Sequence, residues 1–189
     1  MTDWPILSTI TFLPLLGAAF ILLIRGDEAT IARNSRHVAL WTTLVTFALS
    51  LVLIFSFDTT TAAFQFEEYT PWLPEYGIGY HLGVDGISVF FLLLTTFLVP
   101  ICIISCWDSV KTRVREYMLA FLILETLMVG VFSSLDMLMF YIFFEGQLIP
   151  MFLIIGIWGG ARRVYSAYKF FLYTLVGSVL FLLAILFMY

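Results

Sequence analysis

Charge is what this sequence has least of. Asp, Glu, Lys and Arg make up 12% of its 189 residues, about half the share of roughly 25% found in an ordinary soluble domain. Hydrophobic residues reach 62% and the mean hydropathy is +1.04. So few polar residues cannot cover a water-soluble globule, and a protein that crosses a membrane several times is expected. Cysteine is scarce as well. Cys102 and Cys106 stand four apart in one apolar run, share a helix face, and read as small buried hydrophobes rather than as a metal or redox pair. No phosphate-binding glycine loop, dinucleotide fingerprint, metal-spaced cysteine pair or His–Glu cluster occurs. Any redox or hydrolytic chemistry is therefore expected in another chain. No metal, no cofactor and no nucleic-acid partner is expected for this one. The residues ahead of the first apolar run, Met1 to Trp4, lack the positive region of a cleavable signal peptide.

Long apolar runs are abundant. Six are long enough to span a hydrocarbon layer of ~30 Å: Pro5 to Ile24, Val38 to Phe57, Ile87 to Cys106, Tyr117 to Leu135, Met137 to Trp158 and Val164 to Tyr189. The expected fold is all-α, a polytopic transmembrane helix bundle forming one membrane domain over 1–189. Pro14 and Pro100 fall inside the first and third spans, and Pro14 is expected to kink its helix. Arg25 to His37 reads as a polar loop. Asp58 to Asp85 reads as a long connection, broken by Pro71, Pro74, Gly77 and Gly79. Its Tyr69, Trp72 and Tyr76 suit the membrane interface. Asp136 is placed to cap the fifth span, and Asp85 to cap the third.

The few charges are sorted by sign. Arg25, Arg33 and Arg36 follow span one, Lys111, Arg113 and Arg115 follow span three, and Arg162, Arg163 and Lys169 follow span five; these are all nine bases. The 58–85 connection carries Asp58, Glu67, Glu68, Glu75 and Asp85, one histidine, His81, and no base. Positive loops stay on the cytoplasmic or matrix side, so both termini are expected on the opposite side.

Against that background an acid inside a span is conspicuous. Glu145 is the only charged residue between Met137 and Trp158. It lies about eight residues from one end, roughly 12 Å along a helix. A carboxylate at that depth costs several kcal/mol unless it is paired, protonated or wetted. Pro150 has no N–H to offer the carbonyl of Gly146. A buried acid beside a freed carbonyl can hold a proton or a cation; the plainer reading is a carboxyl that ties two helices together. Glu125 lies eight residues into span four and admits the same two readings. Lys169, in span six, either reaches inward as a proton carrier or counter-charge, or extends to the interface beside the basic loop. His81 reads as a surface histidine. Tyr168, Tyr173, Gly177 and Ser178 read as helix-packing positions.

Four segments carry a family resemblance: Leu82-Gly83-Val84-Asp85-Gly86-Ile87-Ser88, the run Phe140 to Met151 with Phe144-Glu145 and Leu148-Ile149-Pro150 at its centre, Ile157-Trp158-Gly159-Gly160, and Lys169 to Ser178. Over essentially the whole chain the sequence resembles the antiporter-like membrane subunits of respiratory complex I, the NADH-quinone oxidoreductase. The resemblance implies a proton-translocating subunit of about fourteen spans built from two inverted five-helix repeats. It implies that FMN, iron–sulfur clusters and quinone are bound by other subunits of the complex. Neighbouring antiporter-like subunits, the peripheral arm and the bilayer are the implied partners, and a bacterial or mitochondrial inner membrane the implied location. Glu145 matches the fifth-helix glutamate of the family, which pairs with a lysine on helix seven, while a lysine on helix eight carries protons. The 189 residues hold six spans and neither of those helices, so the expectation is part of such a subunit. Lys169 stands on a different helix and does not inherit either role. Glu125 and Lys169 remain secondary candidates on the proton path. Two other readings stay open: a subunit of a multisubunit cation/proton antiporter or membrane-bound hydrogenase, and a non-catalytic membrane scaffold whose polar residues only join helices.

Overall fold

The computed structural model describes residues 4–188, and of Tyr76 only the backbone; Met1–Asp3, Tyr189 and the interfacial placement of the Tyr76 ring lie outside the described residues. The chain runs α1 (Ile6–Leu23), α2 (Glu28–Phe55), β1 (Gln65–Leu73), β2 (Ile78–Val84), α3 (Ser88–Ser105), α4 (Val114–Ser133), α5 (Met137–Gly146), α6 (Leu148–Trp158) and α7 (Arg163–Met188). Taking α5 and α6 as one 22-residue span, six helices among the described residues are long and apolar enough to cross a membrane. Helices α1 to α4 form a packed quartet. The α5–α6 span lies against α4, and α7 lies against α6 and α5.

Three aspartates start helices. Asp27 accepts from the Thr30 hydroxyl (2.7 Å) and amide (3.3 Å), and these bonds hold its carboxyl below its ordinary value. Asp136 accepts from Met139 N–H at 2.9 Å. Asp85 and Ser88 bond reciprocally: the Ser88 amide donates to the Asp85 carboxyl (2.7 Å), and the Asp85 amide donates to the Ser88 hydroxyl (2.8 Å). These bonds, the Ser88 amide first, depress the Asp85 carboxyl as well. The cap at Asp27 corrects one expectation. Most of the polar stretch between spans one and two is not a loop: helix begins at Glu28, and α2 is 28 residues long, about 42 Å at ~1.5 Å per residue. Hydropathy marks where a helix enters apolar surroundings, whereas a cap marks where it begins.

The 58–85 connection is also more regular than its prolines and glycines suggest. β1 and β2 form an antiparallel hairpin with Glu68 opposite Leu82, Tyr69 opposite His81 and Thr70 opposite Tyr80. Pro71 is tolerated because β1 has a partner on one side only in this two-stranded sheet. The turn closes at Pro74–Tyr76 and at Gly77, which takes a left-handed φ of 64°. Gly79 leaves room for the Tyr69 ring, which a Cβ there would meet at 2.6 Å. His81 is not a free surface histidine. Its Nε2 lies 3.2 Å from the Glu67 carboxylate, and its ring meets Tyr69 edge-on at 5.3 Å.

The hairpin is bound to the bundle at two places. The Glu68 carboxylate accepts from the Leu7 amide (2.8 Å), from the Ser8 amide and from the Ser8 hydroxyl, which also bonds the Tyr80 phenol at 2.7 Å. An acid at a helix N-terminus satisfies open amides and complements the dipole. At the second place the Leu135 amide donates to the His81 carbonyl at 2.9 Å. The hairpin thus ties the start of α1 to the α4–α5 turn. Burial raises the Tyr80 phenol above its ordinary value.

The other end of the bundle is basic and is braced by side chains on carbonyls. Arg36 donates to Val110 O (2.8 Å) and lies over Trp107 at 5.9 Å. Arg115 donates to Leu22 O, and Trp158 Nε1 to Thr112 O. All three basic segments therefore gather opposite the acidic hairpin.

Candidate functional site

The quartet has two apolar cores with a polar layer between them. Toward the basic end, Ala18, Ile21, Ala39, Ile103, Met118 and Leu122 form one core; toward the hairpin, Leu7, Ile10, Leu53, Leu92 and Val129 belong to the other. Between them every helix supplies polar residues: Thr11 from α1, Thr43, Thr46 and Ser50 from α2, Thr95 and Thr96 from α3, and Glu125 and Thr126 from α4, all buried. Most of these hydroxyls bond a carbonyl of their own helix, as Thr46 does to Thr42 O at 3.0 Å and Thr95 to Phe91 O at 2.9 Å. Ser50 and Thr96 also join α2 to α3 at 2.7 Å. A hydroxyl that donates backward keeps its lone pairs as acceptors toward the layer.

Glu125 is the only ionisable group in that layer. It is wholly buried, eleven residues from the start of α4 or about 16 Å along it. Neither of its carboxyl oxygens has a hydrogen-bond partner, and the Thr126 hydroxyl beside it has none either. Buried polar atoms are rarely left so.

Glu145 occupies a different environment. Gln147 interrupts the span between α5 and α6. Across the interruption the ladder is stretched: Gln147 N–H reaches Phe143 O at 3.3 Å, and Met151 N–H reaches Gln147 O at 3.3 Å. Pro150 supplies no N–H to Gly146. Glu145 is partly buried, and its Oε2 is buried without a partner. Gly130 and Gly146 set how α4 and α5 meet. A Cβ on Gly130 would come within 2.5 Å of the Phe143 ring, and one on Gly146 within 3.0 Å of Leu127. That antiparallel register carries Glu125 to the level of Gln147 and Leu148. The two acids therefore stand within about one helical turn of each other in depth on adjacent helices, one enclosed by the quartet and one at the break.

Lys169 joins neither of them. It is exposed on α7, with its ammonium 6.0 Å from the Tyr165 ring centroid, one turn nearer the basic end. Among the described residues the only ion pair is His81–Glu67. Two expected packing positions also face outward: Tyr173 is 85% exposed, and a Cβ on Gly177 would meet nothing within 4 Å. Only one face of α7 contacts the bundle. Tyr168 reaches it through the Phe152 ring at 5.6 Å, and Ser178 is buried. Cys106 bonds the Tyr117 phenol at 3.0 Å, and Cys102 is exposed. No group of three metal-ligating side chains occurs among the described residues.

The polar layer was missed by reading the sequence for charge alone. Its signal was present in Thr43, Thr46 and Ser50 at helical spacing and in the Thr95-Thr96 pair. The clasp by Glu68 left no comparable signal, because it joins residues 60 apart.

Comparison with known proteins gives a consistent picture. Residues 29–133 match the family model described as NADH-ubiquinone oxidoreductase chain 4, amino terminus, and residues 134–189 match NADH:quinone oxidoreductase/Mrp antiporter, TM. The chain is 56% identical over 185 residues to NADH-quinone oxidoreductase subunit M of Rhodobacter capsulatus, covering 97% of this chain and 36% of that protein. It is 50% identical over 184 residues to NADH-ubiquinone oxidoreductase chain 4 of Marchantia polymorpha, covering 97% and 37%. The chain thus spans little more than a third of the length of the curated relatives it matches. Among solved structures, a chain of respiratory complex I from Thermus thermophilus with bound NADH superposes with a TM-score of 0.77 at 31% identity, over 95% of this chain and 35% of that one.

Proposed function

We propose, because the chain belongs to the NADH-ubiquinone oxidoreductase chain 4 family, that it is the amino-terminal membrane portion of a proton-translocating subunit of NADH-quinone oxidoreductase. The observation that carries this reading is Glu145 at the interruption of its span, with a buried, partnerless oxygen, within about one helical turn of the depth of the orphaned Glu125. A bare carboxylate at mid-membrane is unfavourable. Such a group is stable when it holds a proton or has a cation beside it, and an opposite charge within ~4–6 Å favours its charged form. A cation that approaches and withdraws would make Glu145 release and take up a proton. Glu145 is assigned to the proton path, Glu125 and Lys169 to secondary places on it. The helix break gives the carboxyl a neighbouring backbone carbonyl free of helical bonding, where water or a second polar group can be held.

Electron transfer would occur elsewhere in the assembly, with FMN, iron–sulfur clusters and quinone on other subunits. Neighbouring antiporter-like subunits and the peripheral arm are the proposed partners. The basic end would face the cytoplasm and the acidic hairpin the opposite side of a bacterial inner membrane, or matrix and intermembrane space in a mitochondrion. The relatives named subunit M and chain 4 favour this reading over a separate antiporter, a hydrogenase subunit or a scaffold.

The test is Glu145→Gln in the full-length protein, followed as NADH-driven acidification of membrane vesicles with the assembled complex quantified alongside. Normal assembly with collapse of both pumping and NADH oxidation is the expected result. Unchanged pumping at normal assembly overturns the assignment.

A further inference from the structure

A cavity away from both carboxylates lies at the basic end of the bundle. It has a volume of about 630 Å³ and opens at the basic end, between the first turns of α2 and α4, within the ~300–1,000 Å³ typical of small-ligand sites. Its rim carries Lys111, Arg113 and Arg115 on one side, and Glu28 and Glu116 among the rest. Three cations against two carboxylates leave one positive charge, and among the described residues none of the five is in an ion pair. Arg115 has its Nε buried without a partner. Helix α4 begins at this rim with no side-chain cap, since its N-cap residue is Arg113, held at a left-handed φ of 52°. Its first amides and its dipole therefore favour a negative charge at the same place.

The same cavity is also lined by apolar Ala29, Ala32 and Val114. Ile31 lines the cavity, and Arg115 is tied to the carbonyl of Leu22, at the end of α1. There Leu22 and Leu23 are 58% and 72% exposed. Basic side chains beside exposed leucines are the profile of a bilayer boundary. Basic segments at that boundary attract anionic lipid.

We propose that this cavity is a binding site for the phosphodiester of an anionic phospholipid. The single negative charge matches the net charge of the rim, with Lys111 and Arg113 on the phosphate oxygens, Arg115 positioned by Leu22, and the acyl chains running down past Leu22 and Leu23. The site is independent of the proton path: Glu125 lies about 16 Å farther along α4. The shared chemistry is a phosphate oxyanion. Placement at the apolar boundary selects the lipid form over free phosphate.

The experiment uses the full-length protein in its native assembly, purified in mild detergent and equilibrated with micelles containing phosphatidylglycerol and phosphatidylcholine. Retained lipid is extracted and quantified. Preferential retention of phosphatidylglycerol is expected, with affinity falling about fivefold for each cation removed in Lys111→Gln and in the Lys111→Gln/Arg113→Gln pair. Glu116→Gln is expected to move it the other way, a sign that a loss of folding would not produce. Because Lys111 is exposed, its single variant keeps the fold and decides the matter if the pair fails to assemble. Equal retention of the two lipids, or wild-type retention in Lys111→Gln, overturns the proposal. Displacement of phosphatidylglycerol by inorganic phosphate at comparable concentration assigns the site to a free anion and overturns the lipid.

Discussion

Helix α4 and helix α7 have changed places relative to what hydropathy alone suggests. α7 is the most apolar of the six spans and the least buried, with 11% of its apolar stretch enclosed; α4 is the least apolar and the most buried, at 56%. The break-containing span Met137–Trp158 resembles α7, at 17%. The division coincides with the two family models, which meet between residues 133 and 134 at the end of α4. In a bilayer the lipid tails are as apolar as leucine, so hydrophobicity does not decide which helices meet. Small residues and polar contacts decide it. The quartet has Gly17 against Thr42 and Ser50 bonded to Thr96, and its α4 seats the Phe143 ring of α5 on Gly130, whereas α7 presents Tyr173, Gly177 and Phe187 outward. Each region carries one mid-membrane acid, and the difference in enclosure separates their expected behaviour.

The sharpest way to break the comparison is to remove each acid in turn. Glu145→Gln should abolish pumping at normal assembly, the largest effect anticipated, because Glu145 lies where the helix is open to a partner. Glu125→Leu removes two unsatisfied oxygens from a closed layer and should stabilise the purified protein by about 1–3 kcal/mol, seen as a higher thermal midpoint in detergent. A lower midpoint would mean that Glu125 has a partner holding it.

Two glycine substitutions sharpen the packing half. Gly130→Ala forces a methyl against the Phe143 ring and should cost about 1–3 kcal/mol. Gly177→Ala meets open space and should leave the midpoint within about 0.5 kcal/mol. Equal effects would show that α7 is as enclosed as α4. The smallest effect concerns the helix starts. The Asp85 carboxyl is lower in the folded protein than in the unfolded chain. Its contribution is therefore present above the ordinary carboxylate value of 3.8 and lost as pH falls through the depressed one. Asp85→Asn should flatten the acid limb of the stability profile below about pH 4 and leave the neutral region little changed; an unaltered limb would show that the cap carries no proton linkage.

How much of this was legible in advance varies by residue. Asp136 announced its cap, because an acid three residues before a free amide acts locally. Glu145 announced itself by being charged within 22 apolar residues. Tyr173 and Gly177 misled, since a helix offers the same residues to lipid and to protein and the sequence does not say which side is covered. Pro71 and Gly79 misled in another way. They disfavour a central strand, and the hairpin here has only edges.

What the sequence by itself determined is whatever depends on one segment and its solvent: six apolar spans, the two-ended charge asymmetry, the helix caps and the costly acids at depth. Each follows from the transfer of side chains between water and hydrocarbon, or from bonds closed within a few residues. Only the tertiary structure decided which helices enclose one another, that hydroxyls from four helices assemble into one layer around Glu125, that Glu68 clasps the start of α1, and that Lys169 faces away from both carboxylates. Those depend on register between segments far apart in the chain, set by glycine contacts and single hydrogen bonds, for which hydropathy carries no signal.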